Sequence, residues 1–393
     1  MKPLKIAEGI YEVGVKDWNV RDFHGYSTDK GTTYNSFLIM DEKIVLVDTV
    51  KNGFGAEHLR NISKIVDPKK IDIVISNHTE MDHTGTLVET MRAIGIDKPL
   101  YCSKMGEKNL KAHFPDKLNY QVVDNAFSLP IGKRTLQFLE TRMLHWPDSM
   151  FTYIPEDKIL FSSDAFGQHY AGNENFDDEI GPCIMEHAKK YYANILLLFS
   201  SKVKALIETV AKMNLDIKTI CPDHGIIWRK DPSVIINKYM EWSEQKPAKK
   251  AVVIYDTMWH STEKMAQSIA EGLKASGVFT MLMHARKWHR SDIMTEVLDA
   301  GLVVIGSPTM NNVLYPTLSD VMTYMKGLRP QNKKAAAFGS YGWSGEAVKL
   351  INAEFDAMGF TLAHDGLKVQ YVPDDAQLES CYEYGQKLAE SLA

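Results

Sequence analysis

His78-Thr79-Glu80-Met81-Asp82-His83 follows directly on the apolar run Ile71–Asn77, so four potential metal ligands stand within six residues at the end of a buried strand. A loop there can turn its side chains toward a single point. Further candidates arrive at other strand ends: His145 after Thr135–Thr141, Asp164 after Lys158–Ser162, and His224 in Cys221-Pro222-Asp223-His224-Gly225. Imidazole and carboxylate without thiolate suit iron, manganese or zinc, and a carboxylate such as that of Asp164 can bridge two ions.

Working outward, the first two hundred or so residues alternate short β-rich runs with turns, among them Ile10–Val15, Thr33–Met40, Ile44–Asp48, Leu100–Ser103 and Met150–Ile154. Helical patterns fall at Gly85–Ile94 and, longest, at Met185–Met213. Many short strands mixed with helices predict a two-sheet core covered by helices. The polar run Glu244–Lys250, holding one proline, interrupts the apolar periodicity and predicts a linker. Strands then alternate with helices: Ala251–Tyr255, Thr262–Ser276, Phe279–His284, Ile293–Leu298, Leu302–Gly306, Leu318–Met325, Ala335–Gly339 and Glu346–Met358. That alternation predicts a doubly wound parallel sheet, with domains at 1–248 and 249–393.

Three loops of the second domain follow strands. In Asp256–Thr262 the hydroxyls of Thr257, Ser261 and Thr262, with Met258 and Trp259 between them, meet the start of a helix, which favours a phosphate. The second loop holds Pro308, Thr309, Asn311 and Asn312, and the third Ser340, Tyr341, Gly342, Trp343, Ser344 and Gly345. Glycines there let the backbone approach a flat ring on which Tyr341 or Trp343 can stack. The glycine-rich dinucleotide fingerprint G-x-G-x-x-G is absent from the sequence, which argues against a directly bound nicotinamide cofactor.

Composition narrows the function classes. The chain has 393 residues, 45% of them hydrophobic, and a net charge of −5. Cut at Lys249, it carries 31 basic against 34 acidic residues before and 14 against 16 after, so neither half is a basic nucleic-acid surface. The start, MKPLKIAEG, lacks the apolar core of a signal peptide, and no run approaches the ~18 apolar residues that span a bilayer. A soluble, cytoplasmic protein is expected. The four cysteines at 102, 183, 221 and 381 form no C-x-x-C pair, so the chain carries no iron–sulfur cluster or rubredoxin knuckle of its own.

The H-x-[EH]-x-D-H motif with the later His, Asp and His resembles the metallo-β-lactamase fold, an αββα sandwich with metals at its strand ends. Glu80 stands where hydrolases of that fold normally carry His, and this resembles the flavodiiron proteins, in which a non-haem iron pair replaces zinc. The three loops resemble those of flavodoxin, which bind FMN. Asp22–Tyr26, Thr141–Met150, Tyr255–Ala266, Gly306–Asn312, Gly327–Lys333 and Phe338–Glu346 are locally similar to the A-type members that draw on rubredoxin.

The resemblance implies that His78, Glu80 and His145 bind one iron, Asp82 and His224 the other, and that Asp164 bridges them, with His83 a ligand in some members and turned away in others. It implies a proton-donor or hydrogen-bond role for His24 and Tyr192. It also implies reduction of dioxygen to water, of nitric oxide to nitrous oxide, or both, by a head-to-tail homodimer or higher oligomer fed by rubredoxin. Reduced coenzyme F420 is the alternative donor, and a zinc hydrolase fused to a flavodoxin the alternative enzyme. The flavin, not the chain itself, is expected to receive the incoming electrons.

Overall fold

Strands covered on both faces are apolar along their whole length, as are Phe37–Ile39, Val45–Val47 and Ile159–Phe161 in the first half of the chain. The computed structural model describes residues 3–392. Leu4–Ala7, Ile10–Glu12, Phe37–Ile39, Val45–Val47, Ile73–Ser76, Pro99–Ser103 and Asn119–Val123 form one sheet in that order. Pairing is antiparallel as far as Val45–Val47 and parallel beyond it. Ser128–Pro130, Thr135–Glu140, Met150–Ile154, Ile159–Phe161 and Thr219–Cys221 form a second sheet.

Phe37, Val47 and Ile75 from one sheet interdigitate with Phe138, Met150 and Phe161 from the other, the rings of Phe37 and Phe161 lying 5.0 Å apart. Outside the first sheet, Leu38, Leu46, Val74 and Leu100 pack on Ile62, Leu87, Met91 and Leu110 of three helices. Outside the second, Phe151 and Leu160 meet Leu206, Ile207 and Ile236 around a small apolar pocket. The layers are those of the expected αββα sandwich.

Several boundaries depart from expectation. The run Ile10–Val15 divides, because Val15–Asp17 leaves the sheet to pair with Thr32–Tyr34. Gly14 permits the crossing: a Cβ there would stand 2.2 Å from the Tyr34 carbonyl oxygen. The long helix expected over Met185–Met213 is broken into a helix Ile184–Tyr191, a π-helical turn Tyr192–Leu196, a 3-10 turn Leu197–Phe199 and a helix Ser200–Lys212. Side chains compete with the helical ladder at the break. Ser200 donates to the Leu197 carbonyl at 2.7 Å, while Asn194 donates to the Ser291 carbonyl and accepts from Tyr324.

The polar run expected as a linker is mostly structured, since the helix Pro232–Glu244 ends in it and the strand Ala248–Tyr255 begins in it. Lys250 belongs to that strand and is polar because it reaches Glu296 and Asp299, both at 2.7 Å. Phe279–His284, Ala248–Tyr255, Ala300–Gly306 and Lys334–Tyr341 make a parallel sheet, extended past Lys334–Tyr341 by Thr361–Leu362 and Leu367–Gln370. These last two strands, and the helix Asp375–Glu390, carry too little apolar pattern to be read beforehand.

The chain packs as two units. Of the described residues, the sandwich holds 3–23, Thr28–Tyr191 and Ser201–Met240; the second unit holds His24–Ser27, Tyr192–Ser200 and 241–392. Within the second unit, Ser27 N–H donates to Ser291 Oγ at 3.1 Å and Arg290 Nε to the Gly25 carbonyl at 3.2 Å. Among the described residues no helix is long and apolar enough to cross a membrane.

One buried group of the sandwich gives its stability a pH dependence. His58 is fully enclosed, its Nε2 2.9 Å from Ser36 Oγ, and burial pushes its pKa down to about 3. The imidazole is neutral in the fold but protonates below about 6.5 in the unfolded chain, so its stabilising contribution is complete above that pH and is lost as pH falls. Linkage gives a loss of about 2 kcal/mol on going from pH 7 to pH 5. Urea unfolding at the two pH values is expected to show a stability change in the parent that is less favourable than that in His58→Gln by this amount, the other buried titrating groups being common to both.

Candidate metal centre and flavin site

All seven predicted metal ligands come together in the sandwich unit, in the segments that follow its strands; Asp82 and His83 stand on the short helix Met81–Thr84 rather than in the expected loop. The loop after Ile73–Ser76 is held by Asp48, at the end of Val45–Val47. Asn77 donates to Asp48 through its backbone N–H (2.8 Å) and its side-chain amide (2.9 Å), and accepts from Thr152 of the opposite sheet at 2.7 Å. A buried polar bridge therefore joins the two sheets immediately before His78 and fixes where the ligand loop starts.

The ligands fall into two sets that share one residue. Ligand atoms of His78, Glu80, His145 and Asp164 lie within 4.8 Å of one another, and so do those of Asp82, His83 and His224. Asp164 Oδ2 faces the first set, 2.9 Å from His145 Nε2 and 3.9 Å from His78 Nδ1. Asp164 Oδ1 faces the second, 3.2 Å from His83 Nε2 and 3.6 Å from His224 Nε2. Glu80 closes on His145 at 3.1 Å, and Asp82 on His224 at 3.0 Å.

The atoms that would bind metal have little else to bind. Both ring nitrogens of His78 and of His83, both oxygens of Asp82 and Asp164 Oδ1 are buried without a hydrogen-bond partner. Polar atoms in that state are costly unless a cation joins them. Burial works against the charges here; it prevails at His78, which it lowers, and neighbours overrule it at His145 and Asp164. Burial would lower His145, yet Asp164 and Glu80 raise it to about 10. Burial would raise Asp164, yet His78, His83 and His145 hold its carboxyl well below the usual range. An all-nitrogen and oxygen donor set of this charge fits two iron ions.

The surroundings of His224 were missed by sequence reading. Its Nδ1–H donates to the Thr33 carbonyl at 2.6 Å, which leaves Nε2 for the metal side. Its ring also meets those of His169 at 4.8 Å and Tyr191 at 6.1 Å. Tyr192, the tyrosine named from sequence, lies in the other unit, its hydroxyl 3.1 Å from Ser200 Oγ and its ring 5.4 Å from Trp242. His24 also groups with that unit, in a left-handed conformation (φ 58°) between two short strands.

In the second unit the three predicted loops surround a pocket of about 510 Å³. Met258, Trp259, Ser261, Pro308, Thr309, Ser340, Tyr341, Gly342 and Trp343 line it, as does a pair that sequence reading missed, Tyr371 and Val372, beyond the unrecognised strand Leu367–Gln370. The other named residues stand apart from the lining. Thr262 is buried with its hydroxyl 2.8 Å from that of Ser340, and Ser344 donates to Asn312 Oδ1 at 3.3 Å. Asn311 and Asn312 make the left-handed turn of their loop (φ 50° and 62°), and Gly345 precedes the helix Glu346–Ala357. Thr257 is buried, its hydroxyl oxygen without a partner, as suits a residue awaiting a phosphate. The ring-sized pocket and the hydroxyl-rich loop before the helix Ser261–Ala275 fit FMN.

A lactamase-like metal domain followed by a flavodoxin is thus the class that fold and sites define. Residues 32–225 match the family model described as ODP family beta lactamase, and residues 253–385 match that of flavodoxin. A protein of Moorella thermoacetica named nitric oxide reductase is 46% identical over 100% of this chain and 99% of its own. The structure of rubredoxin oxygen:oxidoreductase from Desulfovibrio gigas superposes with a TM-score of 0.97 at 43% identity, covering 100% of this chain and 98% of that one. The flavodiiron protein of Giardia intestinalis gives 0.95 at 36% identity, covering 99% and 96%. The chain belongs to the flavodiiron family, whose cofactors are a diiron centre and FMN.

Asp164→Asn keeps the shape of the shared ligand and removes its charge. Iron content by plasma emission spectrometry is expected to fall from two ions per chain to one or fewer, with FMN content and far-UV circular dichroism unchanged.

Proposed function

We propose that this chain is an oxidoreductase that reduces dioxygen to water, nitric oxide to nitrous oxide, or both. The observation that carries the reading is the division of the Asp164 carboxylate, one oxygen toward each ligand set. His78, Glu80 and His145 hold one iron in this reading and Asp82, His83 and His224 the other. His83 is included because its Nε2 stands 3.3 Å from Asp82 and 3.2 Å from Asp164. Glu80, an anionic oxygen ligand where a hydrolase has imidazole, favours redox work over hydrolysis.

When bound, the iron pair and the reduced flavin supply two electrons each. Four electrons and four protons convert one dioxygen to two waters; two electrons and two protons convert two nitric oxides to nitrous oxide and water. The chain's part is to hold both metals around one carboxylate, to fix the His224 ring through Thr33, and to hold protons near the reacting ligand. His24 and Tyr192 carry that last role by family resemblance, and Tyr191, whose ring lies against His224, shares it.

FMN sits against the three loops of the second unit. Rubredoxin is the donor we favour, since one similar protein is named for it, with reduced coenzyme F420 the alternative. The active unit is a head-to-tail homodimer. The buried free thiols of Cys102, Cys221 and Cys381 support a reducing compartment, the cytoplasm.

Anaerobic turnover of the iron- and FMN-loaded protein with reduced rubredoxin, given dioxygen and nitric oxide in parallel, tests the reading. Consumption of either gas at the stated electron count is the expected result. Consumption of neither, with zinc in anaerobically purified protein, would replace it with the hydrolase.

A further inference from the structure

The phosphate loop of the second unit begins with a charged residue that does not line the flavin pocket. Asp256 follows directly on the strand Ala248–Tyr255 and is fully buried. Its own backbone N–H donates to the Gly306 carbonyl at 3.1 Å, so its position is set by the neighbouring strand. A buried carboxylate beside a site for a phosphate dianion is electrostatically adverse unless it is neutralised.

Its partners show how it is neutralised and what it organises. Oδ1 accepts from the backbone N–H of Thr257 at 2.6 Å and from His284 Nε2 at 3.2 Å, and forms an ion pair with Arg286 Nη2 at 2.8 Å. Oδ2 accepts from the hydroxyl of Thr317, which lies in the helix Pro316–Leu328. Arg286 Nη2 donates in addition to the Thr257 carbonyl at 2.6 Å. Asp256 and Arg286 therefore grip both the N–H and the C=O of Thr257, the residue whose buried hydroxyl is unpartnered.

We propose that Asp256 and Arg286 act together as positioning residues for the flavin phosphate: the pair pins Thr257, and Arg286 cancels the carboxylate's charge rather than meeting the phosphate. The inference rests on the assignment of this pocket to FMN. With the guanidinium committed to Asp256, the phosphate is received by hydroxyls, backbone N–H groups and the start of the helix Ser261–Ala275. Loss of Arg286 leaves a buried anion less compensated at the base of the phosphate loop and frees the Thr257 peptide; removing the carboxylate as well restores part of the balance.

The test is flavin titration of the full chain freed of flavin, followed by fluorescence quenching, with FMN and riboflavin as probes. In Arg286→Leu, FMN is expected to bind at least 30-fold more weakly, while riboflavin, lacking the phosphate, changes less than threefold. Adding Asp256→Asn to Arg286→Leu is expected to recover a third or more of the loss on a logarithmic scale. An unchanged FMN affinity in Arg286→Leu, or an equal loss for riboflavin, would overturn the proposal. So would a double variant no better than Arg286→Leu, the result for an arginine that contacts phosphate directly. Failure of the parent chain to bind FMN at all would instead count against the assignment of the pocket.

Discussion

Asp164 has two oxygens, and the fold asks a different thing of each. Oδ2 lies against one set of candidate ligands and Oδ1 against the other, so a single side chain on the loop after Ile159–Phe161 links the two sets. The sandwich is arranged around that demand. His145 and His224 arrive from the five-stranded sheet's side, the stretch His78–His83 from the other, and the Asp48–Asn77–Thr152 bridge sews the sheets together where they meet. Four carboxyls are buried in this region, and their environments separate them. Burial raises Asp48 to about 7 and lifts Asp223 well above the ordinary range, whereas histidines hold Asp82 and Asp164 low. Negative charge is thereby concentrated on Asp82 and Asp164, the carboxylates that lie among the histidines of the cluster.

What could be read in the sequence was whatever is written contiguously or at strand ends. His78 to His83 is a dense word of ligand types, and His145, Asp164 and His224 each follow an apolar run. The alternation of strands and helices after Ala248 was legible for the same reason. Short strands with exposed or mixed faces were not: Leu367–Gln370 buries only one residue, so the turn beyond it that brings Tyr371 and Val372 to the flavin pocket left no periodic trace.

The two tyrosines show a subtler limit. Tyr191 ends an ordinary helix and Tyr192 begins a π-helical turn, where the residues-per-turn count changes. Helical phase is what assigns neighbouring side chains to faces, and a break in phase cannot be seen in a pattern that assumes none. The tyrosine beside His224 is accordingly the one that the motif did not single out. Similarly, Thr33 acts on His224 through its carbonyl, which every residue type possesses.

Trp259 and Trp343 both border the flavin pocket, and they are 81% and 88% exposed. Indoles left in water beside a flat acceptor are also fluorophores. A flavin absorbs where tryptophan emits, and an indole brought against the ring passes its excitation on. The same two side chains that shape the pocket therefore give the chain an optical gauge of its own occupancy, readable in the resting protein and independent of turnover.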